Sequence, residues 1–230
     1  MKEIEIYISN GRGEKHFSLP ADNNTTVLDL LELCRKNHDP GLIYRHSCHH
    51  GSCGSCTCII NGRERLACTT KAADLEDGPI RVEPLRGFPL LEDCAVNPEP
   101  TFRDLSSTWS YLRDASTETS AATSTDTSEP NTAESAASAP QRFEDCIECG
   151  ACISACPAVG TFKGPAYCAA LFRQYRNKPK EAPALLAAAD RKEGVFGCQR
   201  AIECSRVCPN NVAPAKKIQQ LKQILKELVL

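Results

Sequence analysis

Apolar and polar residues alternate from the start of the chain. Ile4, Ile6 and Ile8 are separated by Glu5 and Tyr7, the pattern of a half-buried strand. Gly11 to Gly13 supplies a turn, and His16 to Leu19 can return as the second strand of a hairpin. The period then changes. Val27, Leu30, Leu31 and Cys34 fall on one face of a helix running to about Asn37, and Thr26-Val-Leu-Asp29 gives it a capping-box start. Cys34 on that face reads as a small core hydrophobe, and Asp39-Pro40-Gly41 ends the helix. Asn61-Gly62 is a type I′ turn signal between Thr57-Cys-Ile-Ile and a return strand. Gly78 to Pro84 reads as a final strand.

From Gln141 onward the period is helical. Tyr167, Leu171 and Tyr175 mark a helix over Gly164 to Arg176, and Ala182 to Asp190 is a second. Ala213 to Leu230 is a third, with Ile218, Leu221, Leu225 and Leu228 on one stripe. Its lysines Lys216, Lys217, Lys222 and Lys226 read as a solvated face. Residues 115–140 hold Ser, Thr, Ala, Asn, Pro and four acids, without an aromatic, branched aliphatic or basic residue. Such a segment buries too little apolar surface to offset its ordering entropy, so it reads as a linker. Trp109, Tyr111 and Leu112 can anchor its start. The expected organisation is α+β: an N-terminal β-grasp domain over 1–105, a linker over 106–141, and an α-helical domain over 142–230.

Composition narrows the function. A formal net charge of −2 points away from nucleic acid as a partner. The Met1-Lys-Glu-Ile-Glu start lacks an apolar signal region, so no export is expected. No apolar run approaches a membrane span, so membrane association would come through partner subunits. Fifteen cysteines in 230 residues dominate the picture. Without a signal peptide, disulfides are an unfavoured use for them, and the odd number and tight spacings favour metal. Zinc pairs usually stand as separated C-x2-C couples, which these do not resemble.

Three cysteine sets stand out. Cys48, Cys53 and Cys56 have the C-x4-C-x2-C spacing of plant-type [2Fe–2S] ferredoxins, and Cys68, after the Asn61-Gly62 hairpin, fits as the fourth ligand. Gly51, Ser52, Gly54 and Ser55 are small enough to let a loop wrap a cluster closely. His46, His49 and His50 read as loop or surface residues, because four cysteines already fill the site. Cys58 reads as a packing thiol, and Cys94 receives no role. The second set, Cys146, Cys149, Cys152 and Cys156-Pro157, is the C-x2-C-x2-C-x3-C-P run of bacterial ferredoxins. In two-cluster ferredoxins the last cysteine of such a run ligates the other cluster. The third set, Cys198, Cys204 and Cys208-Pro209, is the same run with Ala201 at its middle cysteine. Exchange of the terminal ligands gives Cys146, Cys149, Cys152 and Cys208 to a [4Fe–4S] cluster. It leaves Cys156, Cys198 and Cys204 to another. With alanine at the fourth corner, [3Fe–4S] is the expected occupant, and a [4Fe–4S] cluster with solvent on its fourth iron is the alternative. Cys168 beside the helical stripe reads as core.

Together, Arg45-His-Ser-Cys48 through Cys56, Asn61-Gly62-Arg through Leu66-Ala-Cys68-Thr, Cys146 through Pro157, and Cys204 through Pro209 resemble the iron–sulfur subunit of succinate dehydrogenase and fumarate reductase. The resemblance implies an electron-transfer subunit of a succinate:quinone or quinol:fumarate oxidoreductase. Its partners would be a flavoprotein carrying FAD and one or more membrane anchor subunits. Electrons would pass between flavin and quinone through the [2Fe–2S], [4Fe–4S] and [3Fe–4S] clusters, with the substrate handled on the flavoprotein. The implied location is peripheral, on the cytoplasmic face of the inner membrane. Phe162, Lys163 and Gln199 are candidate quinone contacts, beside Cys156 and Cys198. The tryptophan pair that many succinate dehydrogenases carry after the Cys-Pro is absent from Cys156-Pro-Ala-Val-Gly-Thr-Phe-Lys-Gly-Pro, which looks closer to fumarate reductases. The alternative is a module of the same build serving a soluble, thiol-linked fumarate reductase. Those carry extra cysteine-rich domains not found in this sequence.

Overall fold

In the computed structural model, which describes residues 2–9, 12–104, 146–158 and 160–228, the opening alternation becomes two long strands. β1 (Lys2–Ser9) pairs antiparallel with β2 (Glu14–Ala21), Ile6 opposite Phe17. α1 (Val27–Asn37) follows, with the Thr26–Asp29 capping box formed in both directions. β3 (Thr57–Ile60) and β4 (Arg63–Leu66) close around Asn61 and Gly62, whose φ values of 48° and 78° are those of a type I′ turn. β5 (Ile80–Glu83) then inserts between β1 and β3, parallel to the first and antiparallel to the second. The sheet order β2-β1-β5-β3-β4, with α1 against it, is a β-grasp arrangement. Its core is aliphatic: Ile6, Val27, Leu30, Ile60 and Val82 are fully buried. Cys34 and Cys58 lie in this core, as expected, and Cys94 joins them.

The chain then makes a short pair of strands, β6 (Leu90–Glu92) and β7 (Ala95–Val96), and one turn of helix, α2 (Glu99–Phe102). Leu85, Phe88 and Val96 pack with Ile59 from the sheet and Ile153 from the second half. The linker, with Trp109, Tyr111 and Leu112, lies outside the described residues.

The second half is helical. α3 (Ala151–Ser154) and α6 (Glu203–Arg206) are single turns. α4 (Pro165–Asn177), α5 (Ala182–Ala189) and α7 (Pro214–Leu228) form the frame. Every residue of α4 from Pro165 to Gln174 is buried, so this helix is covered all round, as a central element must be. The reading of the α7 lysines as a solvated face needs correction. Lys217 and Lys222 are buried. The Lys222 ammonium donates to the Cys198 carbonyl at 3.2 Å, and Lys217 lies over the Phe172 ring at 4.9 Å. Long apolar stems let both lysines cross the helix surface and find these partners. Among the described residues, no helix is long and apolar enough to cross a membrane.

The halves touch directly. Ser154 donates to the buried Glu64 carboxylate at 2.8 Å and accepts from the Arg86 backbone N–H at 2.9 Å. Arg63 reaches the Arg206 carbonyl at 2.8 Å.

Candidate iron–sulfur centres

Loop 45–56 carries three of the four cysteines of the first set, Cys48, Cys53 and Cys56. Cys48 and Cys53 sit on its outer side, and Cys56 enters the edge of the sheet core. Cys68, just past β4, meets Cys56 with 3.3 Å between sulfurs. Backbone N–H groups of Ser52 and Cys53 both point at the Cys48 sulfur at 3.3 Å. The His50 N–H, foremost, and that of Cys53 pull the Cys48 thiol down to about 6, whereas burial pushes Cys56 up to about 12. One edge of the set is thus solvated and rich in donors, the other buried.

The second centre lies where α3, α4 and the 208–212 turn converge. Cys146, Cys149, Cys152 and Cys208 line one pocket, with Ala166 and Ala170 of α4 as its opposite wall. Only methyl-sized side chains leave room there for a group held by four sulfurs. Burial raises the thiols, Cys146 to about 12 and Cys149 and Cys152 upward as well. The Val212 N–H points at the Cys208 sulfur at 3.3 Å. Cys208, far along the chain, lines this pocket together with the first three cysteines of the 146–156 run.

The third centre lies by the start of α4, where Pro165 lines it. Cys156, Cys198 and Cys204 line a pocket whose remaining wall includes Ala201, Gln199 and Phe162. Burial raises Cys156 upward and Cys204 to about 11, and the Arg200 N–H lies 3.4 Å from the Cys198 sulfur. Ala201 presents a methyl where the first run presents Cys149. Buried thiols held neutral, apolar walls and N–H donors aimed at sulfur suit an inorganic cluster, which takes thiolates and releases their protons on binding. Such clusters supply one-electron chemistry; the chain fixes their spacing and surroundings.

The three candidate quinone contacts part company. Gln199 lines the mouth of the three-cysteine pocket. Phe162 is buried between that pocket and a second cleft, lined by Arg103, Asp104 and Glu193. Lys163 faces this second cleft, with its ammonium paired to Asp104 and set over the Tyr167 ring.

Two contacts near the centres escaped the sequence reading. Gly54, read there only as a small loop residue, sets the N-terminal loop directly against the second centre. A Cβ there would stand 2.7 Å from the Cys149 Cβ and 2.8 Å from the Ile147 carbonyl, and its φ of +69° also favours glycine. The Thr57 hydroxyl bridges the same seam, donating to the Gly54 carbonyl at 2.7 Å and lying against the Cys149 sulfur. Cys168 is fully buried in α4, as its place beside the helical stripe predicts, and burial foremost raises its thiol. No local motif marks the contacts of Gly54 and Thr57; only the docking of the two halves does.

Known proteins match this arrangement. Residues 9–103 match the family described as a 2Fe-2S iron-sulfur cluster binding domain, and residues 142–212 match a 4Fe-4S dicluster domain. The fumarate reductase iron–sulfur subunit of Mycobacterium tuberculosis is 35% identical over 90% of this chain and 83% of its own. The corresponding subunit of Wolinella succinogenes is 33% identical over 86% and 83%. An uncharacterised iron–sulfur protein of Methanocaldococcus jannaschii is 34% identical over 91% of this chain, which spans only 41% of that longer protein. Among solved structures, a chain of the Mycobacterium smegmatis Sdh1 complex in the apo form shares the fold, with a TM-score of 0.73, 20% identity, and 98% and 96% of the two chains covered. On this identity, sustained across both halves, the chain belongs to the family of fumarate reductase iron–sulfur subunits.

Proposed function

We propose that this chain is the electron-transfer subunit of a succinate dehydrogenase or fumarate reductase complex, linking the FAD of a flavoprotein to a quinone at membrane anchor subunits. Cys48, Cys53, Cys56 and Cys68 hold a [2Fe–2S] cluster. Cys146, Cys149, Cys152 and Cys208 hold a [4Fe–4S] cluster, and Cys156, Cys198 and Cys204 a [3Fe–4S] cluster. The observation that carries this reading is the contact at Gly54. It sets the first cysteine loop directly against Cys149, while the short α3 and α6, each bearing a cysteine of one set and leading straight to a cysteine of the other, join the second and third sets. Three cysteine sets in contiguous contact make a row, and a row conducts from one end of the molecule to the other. Electrons enter on the exposed Cys48–Cys53 side and leave near Gln199 and Phe162. The complex is peripheral to the cytoplasmic face of the inner membrane, and the substrate is handled on the flavoprotein.

Ala201→Cys tests the ligand division. The added thiolate completes the third set, so the oxidised-state three-iron EPR signal disappears, a four-iron cluster replaces it, and its potential falls. An unchanged signal would refute the assignment. Co-purification from native membranes separates this reading from a thiol-linked soluble acceptor. Recovery of membrane anchor chains supports quinone. The fumarate reductase subunits, matched along most of their length, favour that outcome.

A further inference from the structure

One group of donor atoms lies outside the three thiol centres. Glu32 on α1 and His46 and His49 in the cysteine loop bring one ligand atom each to within 4.8 Å of one another. His46 Nδ1 and His49 Nε2 are 3.1 Å apart, and His49 Nε2 is 3.7 Å from the Glu32 carboxylate. In a tetrahedral site with metal–nitrogen bonds of 2.0–2.1 Å, neighbouring donors stand about 3.3 Å apart. The two printed pairs lie within a few tenths of an ångström of that spacing, and the third closes by rotation of the Glu32 side chain. A hydrogen bond between two neutral imidazoles would account for the first distance and leave the carboxylate unused. A second observation points the same way. The Tyr44 hydroxyl is buried with no partner, and Glu32 is among the charges acting on it. A water on a bound ion would give that hydroxyl a partner. His50 does not belong to the group, because its Nδ1 is turned to the Cys48 carbonyl.

We propose that Glu32, His46 and His49 bind one divalent transition-metal ion of the zinc type, with its fourth position open to solvent. Two imidazoles and one carboxylate suit zinc better than magnesium or calcium, which take oxygen donors. His46 and His49 flank Cys48, so the ion places two positive charges beside a sulfur of the first centre. Positive charge there favours the reduced cluster and raises its potential.

The test uses the full chain with its clusters, purified anaerobically and titrated with Zn2+ against a chromophoric chelator, with iron measured before and after. One ion should bind without loss of iron. Glu32→Gln and His49→Ala should each weaken binding at least about tenfold, the scale on which metal sites respond to disturbed ligation. His50→Ala should bind as the parent does. In a redox titration followed by EPR, zinc should raise the midpoint of the [2Fe–2S] signal in the parent and not in His49→Ala. Several results would overturn the proposal: no stoichiometric uptake, uptake matched by iron loss, or equal affinity in the parent and both ligand variants. Zinc that binds yet leaves the midpoint unmoved would overturn its placement beside Cys48.

Discussion

The two halves of the molecule treat their cysteines in opposite ways. In the N-terminal half a sheet and a helix bury their own aliphatic core, Ile6, Leu30, Ile60 and Val82 among them, and the cysteine loop wraps one edge. In the C-terminal half the cysteines of two sets, most of them half-buried, line two pockets between the helices. The segments that carry most of those sulfurs are single helical turns and irregular loops. A one-turn helix has no cooperative stability of its own. The first half is a folded domain to which a cluster is added. The second is a frame whose centre the clusters fill.

The largest effect should follow from stripping iron and sulfide from the whole chain under anaerobic chelation. Amide hydrogen exchange should then rise across α3, α4 and α6, while β1, β3 and β5 keep most of their protection. Equal loss in both halves would break the comparison. Residues 1–105 alone should likewise fold and, after reconstitution and reduction, give a rhombic two-iron EPR signal.

Next comes the seam. Gly54→Ala forces a Cβ into Cys149 and places a non-glycine residue at positive φ. The left-handed conformation costs about 1–2 kcal/mol and the overpacking about 1–3 kcal/mol more. Both clusters should still load, yet the magnetic interaction between the reduced first and second centres should weaken. An unchanged interaction would move the route away from this contact.

A smaller loss is expected from Ser154→Ala, which leaves the Glu64 carboxylate buried without the hydroxyl at 2.8 Å. An unsatisfied buried acceptor costs about 1–3 kcal/mol, to be read as a lower midpoint in chemical unfolding. Glu64→Gln together with Ser154→Ala should cost less than the single changes add up to, because the two groups share one bond.

The smallest structural effect belongs to Lys163→Ala. Its pair with Asp104 is partly solvated, so less than about 1 kcal/mol is at stake. Lys163→Ala and Phe162→Ala should nevertheless slow reduction or oxidation of quinone while leaving turnover with an artificial acceptor intact. Loss of both activities together would indicate a folding defect, and loss of neither would move the acceptor away from this loop.

What could be read from the sequence follows the same division. The hairpins, the capping box at Thr26, the turn at Asn61-Gly62 and the three longer helices announce themselves by period or by turn chemistry. Grouping Cys208 with Cys146, Cys149 and Cys152 followed from the rule of exchanged ligands, and the pocket brings those four together. The short α3 and α6 carry no period, since four residues are too few to show one. β6 and β7, at three and two residues, are equally silent. The buried Lys217 and Lys222 misled because charge in a helix ordinarily marks its wet face. The roles of Gly54 and Thr57 arise only when two distant segments meet, and no single stretch encodes that meeting.

Covering α4 on all sides also constrains how the molecule is made. Its Ala166 and Ala170 wall the second chamber and its Pro165 meets the third, so the helix packs against both fillings at once. The cysteines of the second centre are half-buried, so a cluster reaches them from the open side, while α4 is held by what fills the chamber. The seating of one helix during biogenesis is therefore expected to follow the arrival of the clusters. If so, a newly made chain should expose α4 and α7 to limited proteolysis until its clusters arrive; protection before loading would contradict it.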